Sequence, residues 1–127
     1  MIKLADGAKA VILVIDDEPS VADALKMILE DSGYIVLVAV TGRSGVERTC
    51  ERRIDLLIVD LNLPDISGLD VLSAVRVREP DGRVIIITSH GSPEIDAEAA
   101  RRGAITVLAK PFLPSELLQQ VTSALAH

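Results

Sequence analysis

Carboxylates, hydroxyls and a lysine directly follow four short apolar runs of the chain. They are Asp16 and Asp17, Asp60, Thr88 and Ser89, and Lys110. An aspartate at the end of a buried run is costly to desolvate unless it is capped, paired or bound to a cation. If these side chains meet, they could transfer a phosphoryl group, with Asp60 as the nucleophile, Lys110 beside the developing charge and Thr88 donating a hydrogen bond.

Three carboxylates at one point require a counter-charge. A pair of like charges about 4 Å apart costs about 4 kcal/mol at an effective dielectric constant of about 20, and one ammonium group cannot neutralise three acids. Protonation of one acid or a hard divalent cation with oxygen ligands would relieve the repulsion. Mg²⁺ fits best, because it takes one or two carboxylates, keeps several waters and leaves room for a phosphate oxygen.

The elements that must position these side chains form a repeated pattern of strand and helix. Five apolar runs rich in Val and Ile cover residues 11–15, 34–40, 56–59, 83–88 and 105–109. Four of the runs are continuously apolar, which is typical of parallel strands covered on both faces. The segments between them have helical spacing, with Gly33 as a C-terminal cap of the first and Ser92-Pro93 as the start of the fourth.

This alternation predicts an α/β fold with three layers, in which a doubly wound, five-stranded parallel sheet lies between helices. The expected strand order is 2-1-3-4-5, the flavodoxin-like (βα)5 arrangement, with right-handed crossovers. Ligands bind beyond the carboxyl ends of the strands in such sheets. Strands lie about 4.8 Å apart, so Asp60 would neighbour Asp16-Asp17 and Thr88, and Lys110 would reach back across about 10 Å.

Length and composition limit the function classes. The 127 residues fit one domain, residues 1–127, with a core at about 10–126 and an N-terminal extension at 1–9. A net charge of -6 and only one Tyr, one Phe and no Trp argue against direct nucleic-acid binding. A single cysteine and the lack of a leader-like or membrane-spanning apolar run favour a cytoplasmic location without a membrane partner.

Considered together, the strand-end residues resemble the receiver domain of two-component response regulators. The matching positions are Asp16-Asp17, Asp60, Pro64 with Gly68, Thr88 with Ser89, and Lys110-Pro111. The resemblance implies that Asp60 accepts a phosphoryl group from a phosphohistidine on a sensor histidine kinase or a histidine phosphotransfer protein. It also implies that Ser89 and Asn62 support the phosphoryl group and that the Lys110-Pro111 bond is cis.

The same resemblance implies a Mg²⁺ site. Asp17, Asp60 and the backbone carbonyl of Asn62 would bind the ion, and Asp16 would assist directly or through water. Two positions depart from the family pattern or vary within it. Val107 occupies the position of the family's switch aromatic, so the usual signal route from Thr88 through a ring is in doubt, and His90 lies where the family adjusts access of the hydrolytic water.

Each of these residues also has a simpler structural explanation. The segment Asp16-Asp17-Glu18 could cap the first helix, and Asp60 with Asn62 could form a turn before Pro64. His90, without a sequence-placed partner, and an exposed Lys110 would need no function. The coincidence of these residue types at adjacent strand ends is what favours a site.

Three functions remain in competition at this stage. The first is a phosphorylation-switched signalling module rather than an enzyme with its own substrate, although it would catalyse its own phosphorylation and slow autodephosphorylation. The second is a phosphatase similar to the haloacid dehalogenases, which is disfavoured because Glu18 stands where a second aspartate is expected. The third, motivated by Val107, is a phosphorylation-independent adaptor. In the first and third cases the surface of the fourth helix, fifth strand and fifth helix would bind a downstream protein or form a homodimer.

Overall fold

The computed structural model describes residues 9–126, in which five strands alternate with five helices. The strands are β1 (Val11–Ile15), β2 (Ile35–Ala39), β3 (Leu56–Asp60), β4 (Val84–Thr88) and β5 (Thr106–Ala109). The helices are α1 (Pro19–Asp31), α2 (Gly42–Glu51), α3 (Gly68–Arg78), α4 (Pro93–Arg101) and α5 (Pro114–Leu125). Apart from Lys9, the predicted extension at residues 1–9 lies outside the described residues.

The strands form one parallel sheet in the order β2-β1-β3-β4-β5. The predicted fold class and strand order are therefore confirmed. The ends of each predicted apolar run agree with the ends of its strand to within one residue. The largest consequence is at β3, where Asp60 is the last residue of the strand rather than the first residue after it. This order places the carboxyl end of β3 between the corresponding ends of β1 and β4.

Two apolar layers hold the sheet between the helices, one on each face. Every residue of β1, β3 and β4 is buried, because helices cover both sides of the three central strands. The two edge strands are partly exposed, although β5 is as apolar in sequence as a central strand. This exposure agrees with the predicted strand order, in which β2 and β5 are the two edges of the sheet.

The helix ends follow the predicted signals. Helix α1 is followed by Gly33, whose φ of 93° lies in the left-handed region that glycine adopts without strain. At the start of α4 the Ser92 hydroxyl accepts a hydrogen bond from the Ile95 amide at 3.2 Å, and Pro93 occupies the first turn. Within residues 9–126 no helix has the length and apolar character needed to cross a bilayer.

Candidate functional site

Three aspartates meet at the carboxyl ends of β1 and β3. Asp60 ends β3, Asp16 and Asp17 directly follow β1, and the two strands are paired neighbours. One carboxylate oxygen from each residue lies within 4.8 Å of the others. Asp16 and Asp60 are almost completely buried, whereas Asp17 is exposed. The acids therefore form a cluster that is open to solvent on one side.

Lys110, which follows the edge strand β5, reaches this cluster. Its Nζ donates hydrogen bonds to Asp60 Oδ2 at 2.9 Å and to Asp16 Oδ2 at 3.1 Å. The lysine side chain is only 10% exposed, so these contacts are weakly screened by water. The Lys110-Pro111 peptide bond that precedes α5 is cis, as the family resemblance predicted.

The pKa values at the cluster reflect the shared burial. Burial raises the pKa of the Asp16 carboxyl, and the nearby Asp60 charge adds to that rise, although a hydrogen bond from the Glu18 amide and the contacts with Lys110 oppose it. For Lys110, burial favours the neutral amine, but the hydrogen bonds to Asp60 and Asp16 outweigh burial and raise its pKa. The lysine is thus held in its charged form beside a carboxylate that is costly to ionise.

Thr88 lies at the carboxyl end of β4, the strand next to β3, and follows the residue that pairs with Asp60. It is the last residue of β4 and is completely buried, and its hydroxyl oxygen accepts a hydrogen bond from the His90 amide at 3.1 Å. A hydroxyl that accepts this bond still carries a proton to donate. Ser89 and His90 are exposed and line an apolar groove of about 520 Å³ that also includes Lys110 and runs along α1.

Asn62 contacts the cluster through its backbone amide, and Val107 borders a cavity that it shares with Thr88. The Asn62 amide donates to Asp60 Oδ1 at 3.0 Å, so the turn expected as the simpler explanation of these two residues is present in the same place as the acid cluster. Val107 is half-buried and borders a cavity of about 330 Å³ together with Thr88. Val107 and Thr88 therefore border the same open cavity.

The structure does not support the helix-capping explanation of the first acids. Helix α1 begins after Glu18 without a side-chain cap hydrogen bond, and the Asp16 carboxylate instead accepts from the Glu18 amide at 2.9 Å. Glu18 itself lies 3.6 Å from Lys110 Nζ. The site predicted from the sequence does not include Glu18, although its position directly after the aspartate pair is a usable signal.

A second acid was missed entirely. Asp65, in the loop between β3 and α3, accepts hydrogen bonds from the backbone amides of Gly42 and Arg43 at the start of α2. These amides donate from the first turn of the helix and lower the pKa of the Asp65 carboxyl. The contact spans more than 20 residues of sequence, so no local pattern predicts it.

Comparison with known proteins gives one consistent result. Residues 12–122 match the family described as response regulator receiver domain. The luminescence regulatory protein LuxO of Vibrio campbellii is 37% identical over 112 residues, which cover 88% of this chain and 25% of LuxO. The chain therefore spans about a quarter of the length of that relative.

Solved structures agree with the sequence match. A CheY-like response regulator receiver domain protein from Methanospirillum hungatei superposes with a TM-score of 0.90 at 29% identity, covering 94% of this chain and 95% of that one. CheY in the CheX-CheY-BeF3-Mg²⁺ complex from Borrelia burgdorferi gives a TM-score of 0.89 at 26% identity, covering 93% and 90%. Both neighbours share the overall arrangement of strands and helices along nearly the whole chain.

Proposed function

Because this chain belongs to the family of response regulator receiver domains, we propose that Asp60 is its phosphoacceptor. The observation that carries the proposal is the contact of Lys110 Nζ with both Asp60 and Asp16, at 2.9 and 3.1 Å, inside a cluster of three acids. An ammonium group held there is in place to stabilise negative charge as a phosphoryl group arrives. The phosphoryl donor is a phosphohistidine on a sensor histidine kinase or a histidine phosphotransfer protein.

The reaction exchanges one phosphorus bond for another. A carboxylate oxygen of Asp60 attacks the phosphorus, the P–N bond to the donor imidazole breaks, and the electron pair leaves with that nitrogen. Lys110 stabilises the phosphoryl oxygens, and the Thr88 hydroxyl donates a hydrogen bond to one of them. Ser89 lines the adjoining groove and supports the same group from the solvent side.

The donor set at the cluster fits Mg²⁺. Asp16, Asp17 and Asp60 supply hard carboxylate oxygens within 4.8 Å of one another, and their summed charge exceeds that of Lys110. The backbone carbonyl of Asn62 is the fourth protein ligand of the proposal. When bound, the cation offsets the charge of the acids and of the incoming phosphoryl group, while Lys110 continues to hold Asp60 in place.

The proposed role is that of a signalling module rather than an enzyme with a separate substrate. Phosphorylation of Asp60 shifts a conformational equilibrium that a downstream protein, or a second copy of the chain, reads at the surface of α4, β5 and α5. Any effect on nucleic acid is indirect, in line with the net charge of -6. The site works in the cytoplasm, and the exposed His90 modulates the access of water to the phosphoryl group.

Phosphoryl uptake from acetyl phosphate and Mg²⁺ tests the proposal. Intact-mass measurements should show one added phosphoryl group on the wild-type protein and none on Asp60→Asn. Asp23→Asn, which changes an exposed acid of α1, is the matched control and should retain uptake. Uptake that persists in Asp60→Asn, or that never occurs in the wild type, would contradict the assignment of Asp60. Sustained turnover of a phosphomonoester that depends on Asp16 would instead favour the haloacid dehalogenase-like phosphatase.

One observation favours a second candidate, a phosphorylation-independent adaptor. Val107 has no ring to move when Thr88 engages a phosphoryl group, and the cavity beside both residues is open. Beryllofluoride with Mg²⁺, which the Borrelia burgdorferi CheY complex contains, serves as the phosphoryl mimic here. Equal affinity for a downstream partner with and without that mimic favours the adaptor, whereas a mimic-dependent affinity favours the switch.

A further inference from the structure

The start of α2 is capped by two different side chains. Thr41, the residue before the helix, accepts a hydrogen bond from the Ser44 amide at 3.1 Å. The two amides that precede Ser44 are satisfied from another part of the chain, because Asp65 Oδ1 accepts from Gly42 at 2.8 Å and Asp65 Oδ2 accepts from Arg43 at 2.9 Å. A carboxylate is favoured here, since the amino end of a helix carries partial positive charge.

Asp65 lies in the middle of the loop that joins β3 to α3. The loop is also fixed at its two ends, where the Asn62 amide donates to Asp60 Oδ1 at 3.0 Å and the Gly68 amide donates to the Leu61 carbonyl at 2.8 Å. Between these points the side chain of Asp65 joins the loop to α2 through hydrogen bonds. The carbonyl of Asn62, which the proposed function assigns to Mg²⁺, belongs to this same loop.

An apolar contact supports the polar one. The side chain of Ile66, next to Asp65, lies so close to the backbone of Gly42 that a Cβ atom there would come within 2.5 Å of Ile66 Cγ1. Glycine at position 42 therefore allows the loop to approach the first turn of α2. The lowered pKa of the Asp65 carboxyl is in keeping with a carboxylate held in its charged form at this contact.

We propose that Asp65 is a positioning residue for the metal site, which holds the β3–α3 loop against the first turn of α2 and thereby fixes the Asn62 carbonyl. The inference rests on the proposed function, because the position of that carbonyl matters only when the acid cluster binds a cation. Asp65 itself takes no part in the coordination. It restricts the conformations of the loop before the cation binds, which lowers the entropic cost of binding and raises the affinity for Mg²⁺.

The test compares two ways of removing a cap from the same helix. Asp65→Ala removes the two bonds that join α2 to the loop, whereas Thr41→Ala removes a cap that has no link to it. Mg²⁺ titration followed by amide NMR gives the dissociation constant of each folded variant. We expect Asp65→Ala to raise it about tenfold, the lower end of the range for residues that support metal ligands, and Thr41→Ala to leave it within about twofold. Asp65→Asn, which keeps one acceptor oxygen, should lie between them.

A second variant guards against a simple loss of folding. Gly42→Ala reaches the same contact from the helix side without changing any charge, and it should also weaken Mg²⁺ binding while urea unfolding confirms a folded protein. Equal dissociation constants for Asp65→Ala and Thr41→Ala would overturn the inference. If wild-type protein takes up phosphate at Asp60 normally in that case, the proposed function stands and only the role of Asp65 fails. A wild-type protein that binds no Mg²⁺ overturns both.

Discussion

Strand β3 has a buried aspartate at each end, and the two are balanced differently. At the amino end, Asp55 accepts a hydrogen bond from the Val11 amide at 2.7 Å and pairs with Arg53 Nε at 3.1 Å. At the carboxyl end, Asp60 shares Lys110 with Asp16, and Asp17 lies in the same cluster. One carboxylate thus meets one guanidinium and one amide, whereas three carboxylates share one ammonium and the amides of Glu18 and Asn62.

The comparison shows that a buried acid alone does not indicate a functional site. Asp55 and Asp60 are 6% and 3% exposed, so burial does not separate them. The charge balance of the surroundings does, because a paired acid is satisfied within the fold, while surplus negative charge attracts a cation. The difference predicts that substitutions at the two ends will affect different properties of the protein.

Removal of the ammonium at the carboxyl end should have the largest effect. Lys110→Met keeps most of the apolar stem of the side chain but leaves Asp60 and Asp16 without their charged donor. Loss of one preorganised donor to a developing charge typically slows a reaction by about a hundredfold or more. We expect a decrease of about that size in the rate of phosphoryl uptake from acetyl phosphate, measured by intact mass.

Arg53→Met is the matched change at the amino end. Arg53 is 70% exposed, so the loss of its pair with Asp55 should alter the free energy of unfolding by no more than about 1 kcal/mol and leave uptake unchanged. Similar rates of phosphoryl uptake for Lys110→Met and the wild type would contradict the proposed difference between the two ends of β3. Lys110 would then only balance the charge of the acids, as Arg53 does for Asp55.

The two buried aspartates should respond to amidation with opposite signs. Asp16→Asn gives up the Oδ2 contact with Lys110, but it keeps an oxygen for the Glu18 amide and removes charge from a cluster with a surplus, so it should stabilise the Mg²⁺-free protein by about 1 kcal/mol. Asp55→Asn removes a carboxylate that is fully paired, and it should destabilise the protein by about 2 kcal/mol. Urea unfolding at pH 7 measures both changes.

The stabilisation of the folded protein by Mg²⁺ provides a second measurement on Asp16→Asn and Asp55→Asn. A ligand at about a hundredfold excess over its dissociation constant stabilises the folded state by about 2.7 kcal/mol. The wild type and Asp55→Asn should gain this stabilisation equally, whereas Asp16→Asn should gain less. Destabilisation of the Mg²⁺-free protein by both substitutions would show that the carboxyl-end cluster is as well balanced as Asp55.

Two glycines near the carboxyl ends of β3 and β4 differ in how much space surrounds them. A Cβ at Gly68 would lie 2.5 Å from the carbonyl oxygen of Asp60, a backbone atom that cannot turn away, whereas a Cβ at Gly91 would make an ordinary 3.4 Å contact with Thr88. Gly68→Ala should therefore cost about 1 to 2 kcal/mol of stability through overpacking and slow phosphoryl uptake. Gly91→Ala, measured in the same assays, should change neither property. Equal behaviour of the two variants would mean that the Asp60 backbone shifts without cost.

Much of the fold follows from local sequence. The continuously apolar runs and the Gly33 and Ser92 signals specify strands and helix ends, because each depends on neighbours a few residues away. The strand-end rule then brings together Asp16, Asp60 and Lys110. The partial exposure of β5 follows from the predicted strand order, which makes it an edge strand, and not from its apolar composition.

The remaining features depend on contacts between distant segments. Asp55 and Asp60 flank the same apolar run, and only the position of Val11 beside Asp55 shows that the first of them is satisfied by the fold. Asp65 is preceded by Pro64 like an ordinary turn residue, and its partners in α2 lie more than 20 positions away. The sequence therefore predicted that Asp16, Asp17, Asp60 and Lys110 would lie together, but it did not predict the Asp65 contact that holds the neighbouring loop.

Asp65 differs from both buried aspartates, because it is exposed and its carboxylate accepts hydrogen bonds from backbone amides. Of the substitutions at these aspartates, that of Asp65 should have the smallest effect on stability. The folded-state pKa of Asp65 is lowered, first by the Arg43 amide, so its carboxylate stabilises the folded state at pH values above its unfolded-state pKa of about 3.8. As the pH falls below that value and through the lower folded-state pKa, this contribution is lost. The wild type should therefore be more stable than Asp65→Asn at pH 7, and the difference should shrink below about pH 4.

Urea unfolding of the two proteins between pH 7 and pH 3 measures that difference, and taking the difference cancels the titration of the other carboxylates. Thr41→Ala provides the comparison, because it removes a neutral cap from the same helix and its effect should not vary with pH. A wild-type advantage over Asp65→Asn that persists unchanged to pH 3 would show that the charge of Asp65 is not what joins the loop to α2. The contact between the β3–α3 loop and α2 would then depend on the packing of Ile66 against Gly42. Asp65 would differ from Asp55 in that its charge would not contribute to the stability of the fold.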